Sequence, residues 1–181
     1  PPPPPPPTLF FSTPPPHTPM LRSLVGSEMC IRDRFCLLFV TTNLFAKELL
    51  TEIIVTDGDT VKGKYANELI KIILAEIDAP ELKQAFGIES KGCLKELIKQ
   101  SDGKVFFKFK EKDRYKRHVG WLYSEDLDIN LEMVKRGCAW VYDRYAERKV
   151  LFKHQNLAKE NKLGLWKNAN AVKPSDWRRL N

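Results

Sequence analysis

DGDTVKGKYANELIKIILAEIDAPE, residues 57–81, is the stretch whose reading decides the fold. Two acidic clusters, Asp57-Gly58-Asp59-Thr60 and Asp78-Ala79-Pro80-Glu81, flank a run of strand-forming residues broken by Ala66-Asn67. That run reads as a β-hairpin, and a hairpin folds its two ends together, so carboxylates about twenty residues apart share one site.

Asp59, Asp78 and a backbone carbonyl near Ala79 are hard oxygen donors, suited to Ca2+ or Mg2+ rather than to a thiophilic metal. Glu81, placed by the φ-locked Pro80, is a candidate general base beside them. Spacing alone leaves a second reading open, because Asp and Gly are ordinary turn residues and Asp before a helix is a good cap.

Outward from the hairpin, Glu48–Thr56, Thr60–Tyr65 and Leu69–Ile77 read as three strands of a meander, rich in Ile, Val, Thr and Tyr. Residues 87–100 switch to helical spacing, with Leu94, Leu97 and Ile98 on one face. Residues 104–110 alternate, which sets Val105, Phe107 and Phe109 on one side, and residues 117–123 are the natural antiparallel partner across a polar loop. A short helix over 130–136 stops at Gly137, and a longer one is predicted over 145–162, with Ala146, Val150, Leu151, Leu157 and Ala158 on its apolar face. Five strands with about three helices predict a mainly β protein, an OB-fold barrel of five strands.

The words VTDGDTV, LAEIDAPE, Lys83-Gln84-Ala85-Phe86-Gly87, DRYKR at 113–117 and Gly137-Cys138-Ala139-Trp140-Val141-Tyr142 occur together and in order. In that set the chain resembles the staphylococcal nuclease (thermonuclease) family from about Ile53 to Trp166. The resemblance implies the OB fold and Ca2+-dependent hydrolysis of phosphodiester bonds in DNA and RNA. It implies Asp59, Asp78 and the carbonyl of Ala79 as metal ligands and Glu81 as general base. Arg117 matches an arginine that binds the scissile phosphate. Tyr115 would stack on or bond to the nucleotide, Arg114 and Lys116 would attract phosphate, and Tyr142 joins the substrate-binding set on weaker grounds.

Two positions depart from the family pattern. Ile73 stands where a second arginine is expected, five residues before Asp78, and an isoleucine cannot pair with phosphate. Lys71, ~6.6 Å away on the same strand face, is a partial substitute; loss of most catalysis is the alternative, and one base change, AGA to ATA, separates this isoleucine from arginine. Lys116 replaces the usual glycine. The competing reading is therefore a non-catalytic OB-type module that binds single-stranded nucleic acid. A third, a protein-interaction domain, would use Trp140, Tyr142 and Tyr145.

Of 13 prolines, 11 lie in residues 1–19, and SLVGSEMCIRDR at 23–34 has no periodicity, so residues 1–34 are read as artefactual or unstructured. Residues 35–46, an apolar run after Arg32 and Arg34 that ends in Ala46, read as the remnant of a signal peptide, with a buried first strand as the alternative. The nuclease-like domain is assigned to 47–167 and a tail to 168–181. A secreted or periplasmic monomer without stable membrane association is expected. The chain carries a net charge of +7, and residues 47–181 hold 27 Lys and Arg against 21 Asp and Glu, which favours a polyanionic partner. Cys93 and Cys138 could pair in an exported protein or stay as separate buried thiols. The downstream region has only His118 and His154 and no CxxC, which argues against zinc, and no GxSxG word supports a serine hydrolase.

Overall fold

The computed structural model describes Pro1 and residues 48–181; beyond Pro1, the segment read as artefactual or unstructured and the one read as a signal remnant lie outside them. Strands β1 (Glu48–Val55), β2 (Thr60–Tyr65), β3 (Glu68–Leu74), β5 (Val105–Lys112) and β6 (His118–Tyr123) close a barrel in the order β1-β2-β3-β6-β5. All neighbours are antiparallel except β3 and β6, which run parallel with Ile73 opposite Val119. The expected five-stranded OB-type barrel is present. A separate antiparallel pair joins β4 (Ile77–Asp78) to β7 (Trp140–Val141).

The β2–β3 hairpin turns where the sequence predicts. Ala66 and Asn67 both adopt positive φ, 46° and 69°, which gives the backbone twist that a two-residue hairpin loop needs. Alternation then buries Val61, Ile70, Ile72 and Leu74 in the barrel and turns Lys71 and Ile73 outward. Leu50, Val105, Phe107 and Leu122 complete the interior, while Leu94 and Leu97 of α1 (Gly87–Gln100) cover one end. Phe109 does not join them: the β5 register shifts between Phe109 and Glu111, and Phe109 is left exposed against Phe107 and His118.

Among the described residues four α-helices accompany the barrel, where about three are expected: α1, α2 (Ile129–Lys135), α3 (Lys149–Glu160) and α4 (Pro174–Leu180). Asp128 caps α2 by accepting the amide of Leu131 at 2.9 Å. The third helix begins later than its sequence pattern predicts, and its buried face is Leu151, Gln155 and Ala158, while Val150 and Leu157 are exposed. Cys93 on α1 is disulfide-bonded to Cys138 beyond α2.

The predicted third strand, 69–77, breaks at Leu74 for the same reason that α3 starts late. Glu76 takes a positive φ of 68° and turns its carboxylate into the protein, where it is 3% exposed. Oε2 accepts from the Trp121 indole at 2.8 Å, and Oε1 accepts the amides of Glu147 at 2.9 Å and Arg148 at 3.1 Å. The Arg148 guanidinium bonds to Glu76 and to Asp128. Burial opposes the charge on Glu76, but these donors hold its pKa below the ordinary carboxylate value. A depressed carboxyl pKa gives stability that is full above the unfolded value and lost as pH falls through the folded one. Glu76→Gln leaves Arg148 short of a partner and should cost about 3 kcal/mol at neutral pH, which lowers Tm by on the order of 10 °C. Thermal melts of both proteins should converge in strong acid, and equal melting at pH 7 would contradict this role.

Candidate functional site

Asp59 is the last residue before β2, and the chain reaches it through a tight turn in which the amides of Thr56 and Asp57 donate to the Thr60 carbonyl. Gly58 makes that turn possible, because a Cβ there would stand 2.0 Å from Ser90 Oγ of α1. From the other end of the hairpin the Leu74 amide donates to the Asp59 carbonyl at 2.8 Å, and the Ala79 amide donates to Asp59 Oδ2 at 3.0 Å. The two acidic clusters are therefore stitched together.

Glu81 follows the buried Pro80-containing bend. Its amide donates to Gln84 Oε1 at 3.2 Å, and its carbonyl accepts from the Gln84 amide at 2.8 Å. Gly87 lets α1 begin directly against it, since a Cβ at that position would meet the Glu81 carbonyl at 1.9 Å. Asp59, Asp78, Ala79 and Glu81 are thus gathered at one edge of the barrel.

The electrostatics are unbalanced there. Burial, together with the negative charges of Asp57 and Asp78, pushes the Asp59 carboxyl up to about 8. Burial and the Glu81 charge also raise Asp78, against the pull of Arg178. Buried Asp78, half-buried Asp59 and a backbone carbonyl make an oxygen donor set that fits a hard cation, although no group of three or more metal-binding side chains occurs among the described residues.

The positive charge that does reach these acids comes from a residue sequence reasoning missed. Arg178 of α4 donates to Asp78 through Nη1 and Nη2, both at 3.0 Å, and to Glu81 Oε1 through Nη1 at 2.8 Å. Its pKa is raised: burial opposes the charge, but Asp78 and Glu81 outweigh it. Arg178 is 100 residues from Asp78 in sequence, and no local pattern links them. The signal that did exist was for the helix: Pro174 at its first turn with Asp176 beside it.

Arg117 is placed differently. Its guanidinium binds Asp113 at 2.6–2.7 Å and lies 5.2 Å from the Tyr115 ring, with Arg114 over the same ring at 4.7 Å. These residues form the β5–β6 loop, and no bond from Arg117 to Asp78 or Glu81 is found among the described residues. Lys116 takes a φ of 62°, a conformation glycine adopts without strain and lysine does not. Tyr142 packs on Tyr145 at 4.8 Å and borders a hollow that also reaches Asp78. Ile73, half-buried on the outer face, pairs with Thr60 beside Asp59 and brings no donor.

The chain was compared with known proteins. The family described as "Staphylococcal nuclease homologue" matches residues 71–168. An "Uncharacterized endonuclease" of Haemophilus influenzae is 44% identical over 129 residues, which cover 69% of this chain and 70% of that protein. One of Escherichia coli O157:H7 is 40% identical over 125 residues, 68% of this chain and 80% of the relative. A "Micrococcal nuclease" of Shigella flexneri is 35% identical over 136 residues, 69% of this chain and 77% of that one.

Because Asp59 is raised, its own contribution to the stability of the ion-free protein is full below the unfolded Asp pKa near 4 and is lost as pH rises through about 8. Asp59→Asn should therefore raise Tm by several degrees at pH 8 in chelator and change it little at pH 3.5. Equal or lower melting of the variant at pH 8 would show that the carboxylate carries no such burden.

Proposed function

The chain belongs to the staphylococcal nuclease family, and we propose that it is a calcium-dependent nuclease that hydrolyses phosphodiester bonds in DNA and RNA. The observation that carries this reading is the convergence of Asp59, Asp78, the Ala79 backbone and Glu81 at one barrel edge, short of positive charge. Bound by Asp59, Asp78 and the Ala79 carbonyl, Ca2+ would supply Lewis-acid polarisation of the phosphate and neutralise charge.

The protein side chains do the rest. Glu81 accepts a proton from the attacking water as the water oxygen bonds to phosphorus and a P–O ester bond breaks. Arg117, exchanging Asp113 for substrate, places its planar fork on phosphate oxygens, where negative charge grows in the transition state. Tyr115 offers a ring to a base, and Arg114 and Lys116 attract the backbone. Tyr142 lines the approach from the other side. With Ile73 in the third strand the site lacks a guanidinium on that face, so catalysis is slow for this chemistry.

We also place the protein outside the cytoplasm. The signal-like residues 35–46 support this, as does the Cys93–Cys138 disulfide, since such bonds persist in oxidising compartments.

On denatured DNA, release of acid-soluble nucleotides should require Ca2+ and stop with chelator. Glu81→Gln should lower the rate by ~10²–10⁴, and Ile73→Arg should raise it by up to ~10². If neither the wild type nor Ile73→Arg cleaves while both bind DNA in a salt-sensitive way, the chain is a nucleic-acid-binding module.

A further inference from the structure

We propose that Arg178, carried by the C-terminal helix α4, is a substrate-phosphate residue of the Asp78–Glu81 site. This deepens the phosphodiesterase reading and rests on it. The family match ends at residue 168, so α4 lies beyond it.

Position is the first argument. One guanidinium touches both Asp78 and Glu81, at 3.0 and 2.8 Å. A phosphodiester whose phosphorus is attacked by water activated at Glu81 must lie within this same space. Shape is the second. Arg178 grips the two oxygens of Asp78 with two parallel N–H donors, and a phosphate presents a similar pair of oxygens to the same fork.

Presentation is the third. α4 is not a free tail: Pro174 is buried, the Ser175 backbone sits where it favours the charged form of Asp78, and Trp177 lines a groove with Phe86 and Trp140. The helix holds Arg178 at the site while its side chain stays 40% exposed and open to an incoming anion. Arg117 stands on the β5–β6 loop, bonded to Asp113, and Ile73 has no donor, so among the described residues Arg178 is the guanidinium already in contact with Asp78 and Glu81.

Substrate binding is then an exchange. Arg178 releases Asp78 and donates to nonbridging phosphate oxygens while remaining protonated throughout, and Asp78 regains both oxygens for a cation. Phosphate and divalent cation should consequently bind cooperatively, each removing a competitor of the other.

The test uses the full chain as wild type, Arg178→Ala, Arg178→Lys and, as a control away from the site, Arg136→Ala, whose ion pairs are with Glu96 of α1 and Glu132 of α2. Circular dichroism and thermal melts establish that each is folded. Arg178→Ala should lower kcat with Ca2+ by ~10²–10³, Arg178→Lys should recover only part, and Arg136→Ala should stay within about twofold. In a non-cleaving Glu81→Gln background, affinity for a fluorescent oligothymidylate in Ca2+ should fall tenfold or more on adding Arg178→Ala. A variant as active as wild type, or one that binds Ca2+ more tightly at unchanged oligothymidylate affinity, would overturn the proposal and leave Arg178 as a counter-ion that blocks the site. If the wild type fails to cleave at all, the nuclease reading falls. The oligothymidylate measurement then still decides the phosphate contact, upheld by lost affinity and refuted by unchanged affinity.

Discussion

The buried carboxylate of Glu76 is the constraint on which the arrangement around the site depends. An isolated charge at 3% exposure is strongly disfavoured, so the chain must bring donors to it. The donors come from β6, through Trp121, and from the start of α3, through Arg148 and two backbone amides. Arg148 passes the connection on to Asp128, the cap of α2. One side chain thereby fixes the barrel, α2 and α3 relative to one another. Its own backbone does as much, because the Glu76 carbonyl accepts the amide of Tyr142 at 2.9 Å and so sets β7 beside β4. Asp78 is two residues further on, and its position is a consequence of this node.

The same turn explains how a hairpin can serve as a site scaffold. Had β3 continued straight to Ile77, Asp78 would have run on along the barrel wall. The left-handed residue at Glu76 instead bends the chain back across the barrel end, and the Ala79 amide reaches the Asp59 carboxylate. Asn130 secures the bend from beneath: its Nδ2 donates to the Ala75 carbonyl at 2.9 Å and its Oδ1 accepts the Leu122 amide at 3.0 Å. Positive φ at a glutamate costs on the order of 1 kcal/mol, which the hydrogen bonds of its carboxylate offset.

Barrel, hairpin turn and α1 were legible because each rests on local information: alternation, a turn dipeptide and 3.6-residue spacing. The convergence of Asp59 with Asp78 followed from the hairpin alone. What could not be read was long-range. Apolar periodicity carried the third strand through Glu76 to Ile77, since one acidic residue in an alternating run looks like an outward-facing position. The 145–162 helix was overextended because Arg148 is diverted to Glu76 and Asp128, while Gln155, a polar residue, takes a core position by accepting the Val141 amide at 2.8 Å. The disulfide and Arg178 likewise join residues 45 and 100 apart, a distance at which composition is silent.

Charge in the site is balanced in two tiers, and this separates the roles of its acids. Asp78 and Glu81 share the guanidinium of Arg178, which sits partly in solvent and is held only by a seven-residue helix. Asp59 is half-buried against Asp57 with no cationic partner among the described residues, and its carboxyl is pushed up to about 8. On the proposed reading, a cation held by Asp59 and Asp78 would displace Arg178, whose freed donors would then face an accompanying anion. With Arg178 on Asp78 and Glu81 and the Asp59 carboxyl raised, repulsion among the acids is held down in the absence of a ligand. On that reading the resting and the loaded arrangements would differ by the exchange of one guanidinium, whose bonds to Asp78 and Glu81 do not involve the Glu76 node.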